Sequence, residues 1–167
     1  MARIVVLGTA GAVTDSCHGH TWLAITRDRG FFLVDCGDSP AVRLSHSGLD
    51  LRRLQGVVLT HFHPDHVATL PCLAVSAWLL GRSAPLPLFG LADVLERFEA
   101  MMSLYSSDQW PGFFRMPTNR VPGAPGAIVL EDDELRITSA PTKHTVPSIG
   151  LRIENRASGL AATYSSD

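Results

Sequence analysis

Six consecutive residues, His61-Phe62-His63-Pro64-Asp65-His66, place three histidines and an aspartate directly after the apolar run Gly56-Val57-Val58-Leu59 and Thr60. A short β-branched run without polar interruption reads as a strand buried on both faces. Where such a strand ends, the leaving loop can fold its side chains back around one point. A solvated loop would not sit between this strand and the apolar stretch that follows to about Gly81. Burying so many polar donors without a partner is costly. The pattern therefore demands a strand, a side-chain cluster and a buried helix, in that order.

Imidazole and carboxylate are the donor set of zinc, and of manganese or iron when carboxylate and water contribute more. Four donors are too many for one catalytic zinc with three protein ligands and an open position. They are expected to divide between two ions, His61 and His63 on one, Asp65 and His66 on the other. His144, in APTKHTVPSIG between Pro141 and Pro147, sits at a strand-to-loop change and would complete three histidines on the first ion. Asp167 follows the apolar run before YSSD, and its carboxylate could bridge both ions, a geometry that sets a pair roughly 3.5 to 4 Å apart. His18, His20 and His46 are isolated and read as structural residues.

Around this cluster the chain alternates strand and helix signals. Arg3 to Leu7 reads as a strand, and TWLAITRDRGFFLVDCG as a hairpin turning near Arg27 to Gly30. A short helix is expected after Ser39, with Ser39 as cap, Pro40 at the first helical position and Gly48 as stop. A helix is expected from Pro71 to about Gly81, and PLPLFG resembles a strand. Leu91, Val94, Leu95, Phe98, Met101, Met102 and Tyr105 keep helical spacing. Residues 106 to 126, with four prolines and three glycines, read as an irregular loop whose Trp110, Phe113 and Phe114 either anchor it or line a site mouth. Further β-type runs follow, with a hairpin turn near Asn155 to Gly159.

A length of 167 residues suits one domain able to bury its own core. The net charge of −2 offers no general attraction to nucleic acid or anionic lipid, so a phosphate-bearing substrate must be drawn by a local feature. Cys17, Cys36 and Cys72, odd in number and widely spaced, read as reduced thiols that pack, which with the absence of a signal-peptide core or membrane span implies a cytoplasmic protein.

The motif THFHPDH behind an apolar strand, the opening LGTAGAV and LVDCGDSP together resemble the metallo-β-lactamase superfamily, and the phrases LEDDELRITSAP, KHTVPSIGLRI and YSSD are similar to ribonuclease Z and its phosphodiesterase relatives. The resemblance implies a four-layer αβ/βα sandwich. It implies His61, His63 and His144 as ligands of one zinc, Asp65 and His66 as ligands of a second, Asp167 as the bridge, Asp65 also as general base, and Asp35 as a buried residue orienting the cluster loop. In the family a second half supplies a further histidine after the bridging aspartate. The resemblance thus implies that residues 1–167 are one domain truncated after Asp167, with the C-terminal half of the sandwich incomplete. The implied activity is hydrolysis by a zinc-bound hydroxide, of a small phosphodiester or RNA. A lactonase or thioesterase of the same fold is the alternative. A further reading is a metal-binding but catalytically incomplete module, completed by a partner or by a homodimer across an exposed apolar face.

Overall fold

Alternation along the strands decides which side of the first sheet each residue faces. The computed structural model describes residues 2–167. Strands β1 (Arg3–Gly8), β2 (Trp22–Arg27) and β3 (Gly30–Val34) form an antiparallel meander. β4 (Leu54–Leu59), β5 (Leu88–Gly90) and β6 (Thr118–Arg120) then extend it in parallel, giving the order β1-β2-β3-β4-β5-β6. Parallel neighbours need crossover connections, and these carry the helices α1 (Pro40–His46), α3 (Leu70–Leu79) and α4 (Ala92–Ser103). Trp22, Ala24, Phe31, Leu33, Val57 and Leu59 pack under the helices. Their sequence neighbours Leu23, Ile25, Phe32, Val34 and Val58 face the opposite way into a second core.

That second core is closed by an antiparallel sheet of β7 (Ala127–Glu131), β8 (Leu135–Thr142), β9 (Ser148–Asn155) and β10 (Ala161–Tyr164), in the order β10-β9-β8-β7. Leu135, Ile137, Ile149, Leu151 and Ile153 are its inward residues. The described residues therefore build helices, sheet and sheet, three layers of the four-layer sandwich expected from the sequence. The outward side of the second sheet is not apolar. Ile128, Thr138, Arg152 and Thr163 lie in register across it, beside Glu131, Arg136, Glu154 and Ala161. The large exposed apolar face expected from the resemblance is absent there.

Several local expectations need correction. The segment 106–126 is not wholly irregular, because Thr118–Arg120 pairs with β5 and Ser107–Gln109 makes a short 3-10 turn. Ser39 precedes α1 with Pro40 at its first turn, but its side chain makes no capping bond. Trp110 stacks on Trp78 at the far end of α3 and Phe113 meets both rings, so these aromatics anchor the loop to the helical layer. Of the three free thiols only Cys36 is packed; Cys17 and Cys72 are exposed.

Candidate metal centre

The carboxyl ends of β3 and β4 lie side by side, and the residues that leave them gather the polar groups. In open α/β sheets this is where ligands bind. Asp35 follows β3 in a left-handed conformation (φ 62°) and is fully buried. Thr60 to His63 follow β4 as irregular chain, and Asp65 and His66 lie in the one-turn helix α2 (Pro64–Val67). The sequence reading placed all four donors in a loop. Pro64 at the first helical position starts this turn and puts Asp65 and His66 on its inner side.

Two distant segments complete the cluster. The amide of Ile149 donates to the carbonyl of Thr60, which ties the start of β9, and with it the 143–147 hairpin tip, to the end of β4. His144 Nε2 comes to 3.0 Å from His63 Nδ1. The chain after β10 passes close over Gly150, where a Cβ would lie 3.1 Å from the carbonyl oxygens of both Tyr164 and Ser165. A side chain at 150 would require this segment to give by a few tenths of an ångström; the segment leads to Asp167, whose Oδ1 is 3.7 Å from His66 Nε2.

The donor atoms form two overlapping groups, His61, His63 and His144 in one and His61, His66 and Asp167 in the other, each within 4.8 Å. Asp65 Oδ2 lies 3.5 Å from His66 Nε2. Five of the six expected donors fall in these groups and Asp65 adjoins the second through His66; the residue common to both groups is His61 rather than Asp167, while His18 bonds Asp15 and His20 bonds the Gly11 carbonyl. Thr60 and Ser166 also belong to the network, and nothing in the sequence marks a single hydroxyl residue as part of a site.

Counting protons assigns the tautomers. The buried Asp35 carboxylate accepts from the Thr60 amide at 2.8 Å, the Thr60 hydroxyl at 2.8 Å and His66 Nδ1 at 2.8 Å. Thr60 has one hydroxyl proton and gives it to Asp35. Its contact of 3.0 Å with His61 Nδ1 must then be a bond donated by the histidine. His61 and His66 both carry their proton on Nδ1 and turn a bare Nε2 toward the cluster. The imidazole nitrogens of His61, His63 and His144, separated by 3.0 and 3.2 Å, match the edge of a tetrahedral zinc site, about 3.3 Å for zinc–nitrogen bonds near 2.05 Å. The residues present fit a divalent ion.

The electrostatics agree. Burial pushes His61 down to about 4, and His66 adds to the effect. Burial acts on His66 in the same direction, but the hydrogen bond and charge of Asp35, with Asp65 and Asp167, outweigh it and hold His66 above its ordinary value. Without metal, unfolded His61 takes up a proton below about pH 6.5 that the folded chain refuses. This one group should therefore remove on the order of 3 kcal/mol of stability as pH falls from 6.5 toward 4. His66 acts in a different window, its stabilising proton being lost as pH rises above 6.5 through its raised folded value. In chelator, melting temperature should fall more steeply between pH 6.5 and 4 for the wild type than for His61→Gln. Equal slopes would contradict this assignment.

Comparison with known proteins places these features. A family model described as a beta-lactamase superfamily domain matches residues 31–167. The chain is 29% identical over 157 residues to ribonuclease Z of Methanothermobacter thermautotrophicus, covering 93% of this chain and 49% of that one. It is 30% identical over 156 residues to ribonuclease BN of an Enterobacter species, covering 91% and 49%. It spans about half the length of these curated relatives. The crystal structure of the short form of human tRNase Z superimposes with a TM-score of 0.81 at 20% identity, over 100% of this chain and 69% of that one.

Proposed function

This chain belongs to the beta-lactamase superfamily, and from that premise we propose that it carries the metal centre of a ribonuclease Z-like hydrolase that cleaves phosphodiester bonds in RNA. The observation that carries the reading is the convergence of His61, His63 and His144 with His66 and Asp167 at the end of β4, in a chain whose relatives are named as ribonucleases.

In this reading His61 Nε2, His63 Nδ1 and His144 Nε2 would hold one zinc ion, and Asp65 and His66 Nε2 would hold a second with Asp167. Manganese or iron suits the carboxylate-rich second position equally well. Bound ions of this kind polarise the phosphoryl oxygens and lower the pKa of a coordinated water. The Asp65 carboxylate would orient an attacking water and accept its proton. Asp35 keeps the Nδ1 proton on His66, and the Thr60 oxygen does the same for His61. Lys143, the chain's one lysine, is exposed beside His144 and places positive charge at the rim for a phosphate.

Free cysteines support a cytoplasmic setting. Among the described residues no helix is long and apolar enough to cross a membrane. The exposed Leu79, Leu80, Leu104 and Tyr105, at the ends of α3 and α4, support a homodimer.

Zinc-loaded protein should hydrolyse bis(p-nitrophenyl) phosphate in preference to a simple lactone, and Asp65→Asn should lower turnover by about 10²- to 10⁴-fold. Lactone turnover without phosphodiester turnover would transfer the assignment to a lactonase of the same fold.

A further inference from the structure

The segment that follows β10 brings Asp167 Oδ1 to 3.7 Å from His66 Nε2, and its own hydrogen bonds show what fixes its path. Within the segment, Ser165 bonds only locally, its hydroxyl donating to the Ser166 carbonyl at 3.1 Å. Ser166 has φ 57°, a left-handed conformation that disfavours a side chain with a Cβ. A glycine would occupy that position without strain. The serine at this place contributes something that glycine cannot. Its Oγ lies 2.9 Å from Thr60 Oγ1, across 106 residues of sequence.

The direction of that bond follows from the protons already assigned. Thr60 has given its own hydroxyl proton to Asp35, so its oxygen accepts from His61 Nδ1 and has one lone pair left. Ser166 fills it as a donor. The oxygen that sets the His61 tautomer is therefore the same one that ties down the Asp167 segment, and through Asp35 the link continues to His66.

We infer that Ser166 is a positioning residue for the metal centre: its hydroxyl bond to Thr60 holds the Asp167 carboxylate in the donor cluster, at the expense of a left-handed backbone. The inference rests on the metal-centre reading and adds to it a residue that is not itself a donor to the metal.

Zinc affinity of the whole chain, measured by competition with a fluorescent chelator for the wild type, Ser166→Gly, Ser166→Ala and Asp167→Asn, tests it. Both Ser166 variants should weaken zinc binding in the same pattern as Asp167→Asn, by about tenfold, the low end for removal of a residue supporting a ligand. Cobalt(II) titration should show the visible absorption of the bound metal altered in both. Melting temperature should separate them, Ser166→Gly matching or exceeding the wild type because glycine accepts the positive φ, and Ser166→Ala falling below it. Affinity lost in both variants despite opposite stability changes is the expected result. Wild-type affinity for every ion in Ser166→Gly would overturn the inference, since backbone shape alone would then place Asp167. A folded wild type that binds neither zinc nor cobalt would overturn the metal-centre reading along with it.

Discussion

Asp35→Asn should reduce zinc affinity by about 100-fold, near the upper end for loss of a group that orients a metal-binding histidine. The change is nearly isosteric, and asparagine tolerates the left-handed backbone at this position, φ 62°, so shape and strain stay close to the wild type. What changes is one acceptor oxygen, replaced by an amide that only donates. If the amide faced Thr60, a buried backbone N–H would lose its acceptor, so it must face His66 Nδ1. His66 would then have to present a lone pair at Nδ1 and move its proton to Nε2. That is the atom 3.5 Å from Asp65 and 3.7 Å from Asp167. Nitrogen-15 chemical shifts of the His66 ring read the tautomer directly, and chelator competition reads the affinity. Tight zinc binding with an unprotonated Nε2 in the variant would refute the proton assignment.

Zinc added to metal-stripped protein at about a thousand times its dissociation constant should raise the melting temperature by roughly 8 to 16 °C. The range follows from about 4 kcal/mol of ligand stabilisation and a shift of 2 to 4 °C per kcal/mol for a chain of this size. The physical source is visible in the cluster, where three imidazole nitrogens lie 3.0 and 3.2 Å apart and His61 is completely buried. A divalent cation can bond all three nitrogens at once, which a proton shared between two of them cannot. His63→Ala removes the nitrogen common to both close pairs and should abolish most of the gain. A shift below 2 °C in the wild type, or an undiminished one in the variant, would count against the centre.

Much of the fold was legible because its signals are local. The continuous apolar runs at β3 and β4, helical spacing through α4 and the turn residues between β9 and β10 each act over a few residues. β6 was missed because three residues flanked by proline carry no periodic signal, and they become a strand only by pairing with β5. The exposure of Cys17 and Cys72 was missed because apolar neighbours in sequence need not be neighbours in space.

The site divides along the same line. Three imidazoles and a carboxylate within six residues announced a metal-binding cluster without any structure, because that density of donors after a buried strand has few other uses. His144 and Asp167 entered as donors at strand ends, and the family resemblance assigned their roles. The tertiary structure alone decided which nitrogens converge, that Thr60 rather than an acid sets the His61 tautomer, and that Ser166 reaches back across the sheet to hold the Asp167 segment. Composition and spacing can state how many donors a chain offers. Hydrogen-bond direction depends on which single proton each hydroxyl has left to give, and that is settled only when packing brings polar atoms of distant segments within about 3 Å of one another.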